Sequence, residues 1–303
     1  MIILGGPTAS GKSDVALELA EALDGEIISA DSMQIYKGLD IGTAKISKSE
    51  MRGIPHYGID IVDAENNFSV AEYKEYAEKV IADILSRGKL PIMVGGTGLY
   101  IRSVLYPFSF GGVEANSQFR AEMTAYAETH GRQALYQLLV DKNPSRAAEI
   151  HYNNLPRVIR ALEIEEFGTG DNSDTERDKM REDCTYFCLE VDNREVLYDR
   201  INRRVDAMIS RGLKNEVTEL LSRGVTFDCQ SMQGIGYKEW RDALEGKAGF
   251  YETIELIKKN SRNYAKRQET WFKREPCIYV RSHSDPCKTA ANILNIYKNR
   301  GNL

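Results

Sequence analysis

The sequence of 303 residues lacks several features that would assign it to common protein classes. It contains no run of about 18 apolar residues, the length that a transmembrane helix needs, and no basic-then-apolar start typical of a secretory signal peptide. Its five cysteines form no C-x-x-C pair, and its four histidines are scattered without metal-ligand spacing. We therefore expect a cytoplasmic protein with free thiols, no membrane partner, and neither zinc nor disulfides.

The sequence also lacks an excess of basic residues: it has 40 Lys and Arg residues and 45 Asp and Glu residues, for a net charge of −5. This balance alone argues weakly against a nucleic-acid-binding protein. The distribution argues the other way: residues 258–274 hold seven basic residues and one acidic residue, a charge of +6 that leaves −11 for the rest. Such a basic strip is either a local binding surface or the solvated face of a helix.

The first part of the chain alternates apolar runs with amphipathic stretches. Strands are predicted at 1–6, 26–31 and 90–96, with helices at 13–23 and 69–88 between them. Alternation of this kind predicts an α/β fold, with a parallel sheet flanked by helices on both faces.

The middle of the chain differs, because residues 113–183 are rich in charge, mostly helical in pattern, and end in a polar loop at 168–179. Strand character returns at 185–191, and 277–280 fits a last edge strand. We therefore predict a core domain of residues 1–112 and 184–303, interrupted by a mostly helical insertion at 113–183.

The first predicted strand leads into a glycine-rich turn that fits G-x-x-x-x-G-K-[ST]: Gly6, Pro7, Thr8, Ala9, Ser10, Gly11, Lys12 and Ser13. Backbone N–H groups in such a turn hold phosphate oxygens at the N-terminus of the following helix. Lys12 adds a positive charge, and the Ser13 hydroxyl suits Mg²⁺. The motif lies between a predicted strand and a predicted helix, so we expect a phosphate-binding loop.

Two further turns follow predicted strands. Asp31 comes directly after the second strand, where a carboxylate can act as a base or bind metal through water; alternatively it caps the following turn. The third strand ends in Gly95-Gly96-Thr97-Gly98, which is either a close approach of backbone to a ligand or a tight glycine turn without chemistry. An ATPase would usually carry a Walker-B Asp here. Its absence weakens an interpretation as an NTP-hydrolysing enzyme.

Three basic segments remain. Arg157 and Arg160 share one helix face, Arg200, Arg203 and Arg204 crowd another helix, and in the strip Lys258, Arg262 and Lys266 recur every four residues. One interpretation of each segment is the solvated face of a helix. Arginine also binds diphosphate in a bidentate manner, and basic residues interleaved with Tyr264, Trp271 and Phe272 suit RNA, although at least one of these aromatics is expected in the core.

Taken together, these segments resemble the tRNA dimethylallyltransferases, also called tRNA isopentenyltransferases. The matching stretches run in the expected order over most of residues 1–274: GGPTASGKS, ISADSMQIYKGLDIGTAK, VGGTGLYI, RVIRALEI, RINRRVDAMI, QGIGYKE and YAKRQETWFK. The chain is similar to the bacterial type, since no zinc finger follows. The resemblance implies a P-loop NTPase-like core and a monomer.

The resemblance also implies a reaction and its participants. A dimethylallyl group passes from dimethylallyl diphosphate to N6 of the adenosine immediately 3′ of the anticodon, in tRNAs that read codons starting with U. The products are N6-isopentenyladenosine and diphosphate. The implied partners are the anticodon stem-loop of tRNA and the diphosphate donor, with Mg²⁺ as cofactor.

Residue roles follow from the resemblance. Asp31 takes a proton from the N6 amine, Thr97 lies by the adenine or the donor, and Lys12 and Arg204 hold the diphosphate beside residues 6–13. Mg²⁺ is expected on Ser13. The residues implied in tRNA binding are Asp31, Ser32, Met33, Gln34, Thr97, Arg120, Pro156, Arg157, Arg160, Gln233, Gly234, Ile235, Gly236, Tyr237, Lys238, Lys266, Arg267, Gln268, Trp271 and Lys273.

Two rival functions remain open at this stage. A small-molecule phosphotransferase shares the P-loop and the Asp after the second strand, but it predicts ATP consumption and has no need for the basic strip. A tRNA-binding module without catalysis needs the strip but not Lys12, Ser13 and Asp31.

Overall fold

The computed structural model describes residues 1–107, 113, 116–168 and 180–300. Within these ranges six strands form one parallel sheet in the order β3-β2-β4-β1-β5-β6. The strands are β1 (Ile2–Gly5), β2 (Gly25–Ser29), β3 (His56–Tyr57), β4 (Leu90–Val94), β5 (Thr185–Glu190) and β6 (Ile278–Arg281). The predicted α/β fold with a parallel sheet is thereby confirmed.

The helices belong to two compact units, one of Met1–Tyr106 with Met180–Leu303 and one of Pro107–Lys179. Those of the larger unit are α1 (Lys12–Leu23), α2 (Val70–Ser86), α3 (Gly98–Leu105), α8 (Arg194–Ser210), α9 (Leu213–Ser222), α10 (Trp240–Leu244), α11 (Phe250–Phe272) and α12 (Pro286–Asn299). Those of the smaller unit are α4 (Ser117–His130), α5 (Arg132–Lys142), α6 (Pro144–Ala148) and α7 (Leu155–Phe167).

The centre of the sheet is apolar because it is covered on both faces. Ile2, Ile3 and Leu4 of β1 are fully buried between β4 and β5, and they pair in register with both neighbours. Parallel sheets require such continuous apolar strands. The register brings the carboxyl ends of β1, β2, β4 and β5 to one edge of the sheet, where ligands bind in open α/β folds.

The smaller unit has its own core, built from buried residues of its helices such as Leu135, Leu139, Val158 and Leu162. It begins six residues before and ends four residues before the predicted insertion at 113–183. The predicted polar loop at 168–179 lies outside the described residues except for Gly168.

The structure adds elements that the sequence patterns did not predict. Strand β3 has only two residues, too few for a periodic signal, and α12 lies in a segment from which we drew no prediction. Gly212, with φ of 95°, ends the helical run after Ser210, so that α8 and α9 are separate. Among the residues that the structure describes, no helix combines the length and apolar character of a membrane span.

Candidate active site

The glycine-rich turn connects β1 to α1 with a backbone that its sequence makes possible. Gly6 and Gly11 have φ of 143° and 83°, values that favour glycine, and Ala9 also lies in the left-handed region at 61°. A Cβ on Gly6 would lie 2.8 Å from the Leu189 carbonyl oxygen. The turn is therefore held tightly against β5 at the N-terminus of α1, the geometry expected of a phosphate-binding loop.

Lys12, the first residue of α1, folds back over this turn. Its ammonium group donates a hydrogen bond to the Pro7 carbonyl at 2.7 Å. Burial, and secondarily the nearby guanidinium of Arg204, lower the pKa of Lys12 to about 8, against the opposing influence of Cys188 and Asp31. A bound anion would offset both effects, so the site favours an anionic ligand.

Asp31 follows β2, and its two carboxylate oxygens have different surroundings. Oδ1 accepts the backbone N–H groups of Met33 at 2.9 Å and Gln34 at 3.3 Å. Within the described part of the chain, Oδ2 accepts no hydrogen bond. The capping role considered from the sequence is thus present, and it leaves one oxygen available to receive a proton.

The glycine turn after β4 is fastened to the Asp31 turn. The Thr97 hydroxyl accepts the Ser32 N–H at 3.0 Å, and the Thr97 N–H donates to the Ala30 carbonyl at 3.1 Å. A Cβ on Gly95 would lie 2.1 Å from that same carbonyl oxygen. Glycine is needed here because the two strand ends approach so closely, which places Thr97 beside the residues flanking Asp31.

Gln268 of α11 joins the phosphate-binding turn to the glycine turn. Its Oε1 accepts the Thr8 N–H at 2.8 Å and its Nε2 donates to the Gly96 carbonyl at 2.9 Å. The side chain is buried, and both ends of its amide are engaged. In this structure the amide holds the two loops together. The predicted contact of Gln268 with tRNA stays a prediction.

Replacing Gln268 with Leu is expected to lower the free energy of unfolding by about 2 kcal/mol, because the buried Gly96 carbonyl and the partly buried Thr8 N–H lose their partners. Urea denaturation measures this loss. Gln137→Leu, at an exposed position of α5, is the control and should change the stability by less than about 0.5 kcal/mol. Equal stabilities of the two variants would contradict the bridging role.

Arg204 of α8 lies between two cavities of the larger unit. Its guanidinium donates to the Thr43 carbonyl at 3.1 Å, and burial lowers its pKa despite the attraction of Asp31. It lines a cavity of about 1080 Å³ at the phosphate-binding turn and a second cavity of about 300 Å³ that contains Asp31. A guanidinium in this place can reach a phosphate in one cavity and organic groups in the other.

The two cavities differ in chemistry. The larger contains residues of the turn and several cations, namely Lys12, Lys45, Arg52, Arg200, Arg203, Arg204 and Arg211. The smaller combines apolar and polar side chains, namely Ile201, Val205, Met208, Ile257, Tyr264 and Arg267, with the segments 31–33, 42–43 and 233–238. The larger cavity suits a phosphate group, and the smaller suits a flat polar ring or a short hydrocarbon.

Comparison with known proteins identifies the family. The family model for IPP transferase matches residues 34–275, well over half of the chain. The chain belongs to the IPP transferase family. The family predicted from the sequence is thereby confirmed, and with it the class of enzyme, a prenyltransferase.

Relatives of this IPP transferase carry the corresponding name. The tRNA dimethylallyltransferases of Thermoanaerobacter sp. (strain X514) and Bacillus licheniformis are each 50% identical to it over 278 residues. The matches cover 90% and 91% of this chain, and 88% of each relative.

Solved structures agree with the fold. The tRNA isopentenylpyrophosphate transferase of Bacillus halodurans is 44% identical, with a TM-score of 0.75 over 99% of this chain and 95% of that one. A eukaryotic dimethylallyltransferase acting on tRNA is 27% identical, with a TM-score of 0.83 over 99% of this chain and 78% of that one.

Most residues implied in tRNA binding in the larger unit of this IPP transferase are brought to the small cavity. Its lining includes Asp31, Ser32, Met33, Arg267 and the whole segment 233–238. Gln34 does not line it, because its amide is bonded to Ser29 and to the Thr43 carbonyl. Tyr237 is fully buried in the wall rather than presented to solvent. The roles of these residues in RNA binding stay a prediction.

The basic strip is only partly available. Lys258 forms ion pairs with Asp206 at 2.8 Å and Glu255 at 3.1 Å, and Arg262 donates to Asn202 at 2.6 Å. These two cations therefore contribute to the packing of α11 on α8. Lys266, Arg267 and Lys273 are exposed.

The two aromatic residues at the end of α11 differ in exposure, and one of them lies in the core, as the sequence predicted. Phe272 is buried in the core. The Trp271 indole is 36% exposed, and a Cβ on Gly98 would lie 2.2 Å from its Nε1. Trp271 is therefore a packing residue of α3 as well as a surface residue.

In the smaller unit the predicted RNA contacts also differ from one another. Arg120 and Arg160 both bond the fully buried carboxylate of Glu163, and these arginines lower its pKa to about 2 against the opposing effect of burial. The Arg120–Glu163 pair joins α4 to α7, whereas Arg160 lies on α7 with Glu163 and also donates to the Val113 carbonyl at 3.0 Å. The roles of both arginines in RNA binding stay a prediction. Pro156 and Arg157, at the start of α7, are exposed.

The structure adds to the sequence interpretation of Tyr264, and it reveals Glu216, which had no sequence signal of its own. Tyr264 lines the small cavity, where burial raises its pKa to about 12, so it is a neutral phenol at physiological pH. Glu216 of α9 bonds the turn at residues 40–42, which is 174 or more residues away in the chain. Only the fold reveals such a long-range contact.

Proposed function

We propose that this IPP transferase moves a dimethylallyl group from dimethylallyl diphosphate to N6 of the adenosine immediately 3′ of the anticodon, in tRNAs that read codons starting with U. The observation that carries this proposal is that an anion site at Lys12 and the carboxylate of Asp31, whose Oδ2 accepts no hydrogen bond from the described residues, lie at the same edge of the sheet. The names of its relatives support the same substrates.

The donor's diphosphate is assigned to the phosphate-binding turn. The backbone N–H groups of residues 6–13, with Lys12 and Arg204, surround the position where negative charge grows as the carbon–oxygen bond of the donor breaks. The leaving diphosphate keeps the electron pair of that bond. Because these N–H groups and cations are already in place, little reorganisation of the protein accompanies the reaction.

The acceptor adenine is assigned to the small cavity, which an adenosine can enter only after it leaves its base stack. The N6 nitrogen forms a bond to the allylic carbon, and its proton passes to Oδ2 of Asp31. An exocyclic amine is a weak nucleophile, so positioning by Ser32, Met33 and Thr97 contributes as much as the base.

The dimethylallyl group itself needs an apolar surface. Ile201, Val205 and Met208 of α8 and Ile257 of α11 supply one in the wall of the cavity that contains Asp31 and Arg204. Apolar contacts around an allylic cation exclude water, which would otherwise capture it as an alcohol.

Mg²⁺ is proposed as the cofactor, and Ser13 fits it. Mg²⁺ is usually held by one or two protein oxygens together with waters and phosphate oxygens of the substrate. The Ser13 hydroxyl is exposed in the first turn of α1, beside the larger cavity, and can be such an oxygen. Within the described residues no group of three or more carboxylate, His or Cys side chains forms a cage for a metal. Bound Mg²⁺ would neutralise charge on the leaving diphosphate.

We assign the reaction to a monomer in the cytoplasm, where tRNA is modified and thiols stay reduced. All five cysteines are free thiols, as that compartment requires.

The direct test of the reaction follows its second product. Purified protein, Mg²⁺, dimethylallyl diphosphate and unmodified tRNA should release inorganic diphosphate in proportion to the tRNA supplied. Omitting tRNA should stop the release. Formation of ADP from ATP with a small acceptor, and no diphosphate from the donor, would favour a phosphotransferase instead.

Reversing two charges, Lys266→Glu with Arg267→Glu, is expected to weaken tRNA binding at least tenfold and to reduce the slope of log affinity against log salt, because two phosphate contacts are lost. Filter binding at several salt concentrations measures both quantities. Lys288→Glu with Lys298→Glu changes the net charge equally at two exposed positions of α12 and serves as the control. If both pairs weaken binding alike, the strip is only a solvated helix face.

A further inference from the structure

A carboxylate outside the proposed machinery occupies an unusual position. Glu216, in the first turn of α9, accepts the backbone N–H groups of three successive residues: Asp40 at 3.0 Å, Ile41 at 2.7 Å and Gly42 at 3.0 Å. Its Oε1 also accepts the phenol of Tyr237 at 2.6 Å. Each carboxylate oxygen therefore accepts two hydrogen bonds.

Successive N–H groups that converge in this way form an anion-binding concavity. Here the anion is the chain's own side chain. Only a carboxylate has the acceptor capacity for all four donors, because the amide nitrogen of Gln accepts none of them. Burial and the adjacent carboxylate raise the pKa of Tyr237, which keeps that phenol protonated as a donor.

The turn that Glu216 holds leads directly to the proposed diphosphate clamp. Thr43, the next residue, presents its carbonyl to the Arg204 guanidinium at 3.1 Å and to the Gln34 amide at 3.4 Å. Gly42, Thr43 and Tyr237 line the same small cavity as Arg204. A Cβ on Gly42 would lie 2.5 Å from the Tyr237 ring, so this contact between turn and ring requires glycine.

We propose that Glu216 is a positioning residue of the transferase: by holding the 40–42 turn it fixes the Thr43 carbonyl, which orients Arg204 toward the donor's diphosphate. The inference rests on the proposed function for its kinetic consequences. An Arg204 held in this orientation should also strengthen the binding of inorganic pyrophosphate. That binding can be measured without any prenyl transfer.

The decisive experiment is a double-mutant cycle of Glu216→Gln with Arg204→Gln. We expect Glu216→Gln alone to lower kcat/KM for dimethylallyl diphosphate about tenfold. In the Arg204→Gln background the same change should cost less than about twofold, because the residue through which Glu216 acts is gone. Equal losses in both backgrounds, or no loss in either, would overturn the proposal.

A matched control lies on the same helix. Glu219 of α9 is exposed, and Glu219→Gln makes the same chemical change one turn from the site without touching the 40–42 turn. It should leave kcat/KM unchanged. If Glu216→Gln does not fold, as judged by circular dichroism, Tyr237→Phe replaces it in the cycle. This change removes only the phenol hydroxyl that donates to Glu216.

Pyrophosphate binding separates failure of this inference from failure of the proposed function. Isothermal titration of each variant with inorganic pyrophosphate and Mg²⁺ should show weaker binding for Glu216→Gln and unchanged binding for Glu219→Gln. If the unaltered protein transfers no prenyl group yet this pattern holds, the proposed function fails while the positioning role stands. Unaltered pyrophosphate affinity in Glu216→Gln would overturn the positioning role itself.

Discussion

Asp31→Asn is expected to lower the rate of prenyl transfer in a single turnover by about 10³-fold, the range typical of removing a general base. The amide keeps an oxygen for the Met33 and Gln34 N–H groups that Oδ1 accepts now, so the turn should persist. What is lost is the free Oδ2, the oxygen assigned to the N6 proton. Rapid-quench measurement with labelled donor and saturating tRNA gives the rate.

Two further measurements make this result specific to the base. The affinity for tRNA should change by less than about threefold, since the turn geometry is retained. Asp63→Asn, in an exposed ion pair with Lys37, removes one negative charge elsewhere and should leave the rate unchanged. A rate for Asp31→Asn within tenfold of the unaltered protein would remove Asp31 as the base.

Lys12→Met is expected to weaken pyrophosphate binding by about 10²-fold or more, because it deletes the charge at the centre of the phosphate-binding turn. The effect should depend on pH. The pKa of Lys12 is lowered to about 8, so its neutral form prevails above that pH and its cationic form below it. Binding of an anion favours the cation, so affinity should fall as the pH rises through about 8, and binding above this pH should take up a proton.

Titration calorimetry from pH 7 to 9.5, in buffers of different ionisation enthalpy, measures both the affinity and the proton uptake. In Lys12→Met the extra pH dependence above 8 should vanish. Lys37→Met, at an exposed position, is the control and should follow the unaltered protein. An affinity of the unaltered protein that is flat across pH 8 would contradict the assignment of Lys12 to the anion.

The parts of the site that were predictable from sequence are those encoded by contiguous residues. The turn at 6–13, Asp31 and Thr97 each follow an apolar strand directly, and parallel strands bring such turns to one edge of the sheet. Their proximity therefore needed only the strand predictions. The register of β1, β2 and β4 in the structure brings the ends of these strands to that edge.

The parts that were not predictable depend on partners far apart in the chain. Gln268 resembles a surface residue of a basic helix until α11 is packed against two turns more than 170 residues away. Lys258 and Arg262 share the spacing of Lys266, and only the position of α8 separates these two bonded cations from the exposed Lys266. Spacing along a helix defines a face, but it does not say what that face meets.

The central claim is tested most directly by mass spectrometry of unmodified tRNA after incubation with the protein, Mg²⁺ and dimethylallyl diphosphate, with ATP in a parallel reaction. We predict a mass gain of one dimethylallyl group on the adenosine immediately 3′ of the anticodon, with ATP unconsumed. No gain on that nucleotide, with ADP formed in the parallel reaction, would contradict the transferase account and assign the phosphate-binding turn to a kinase.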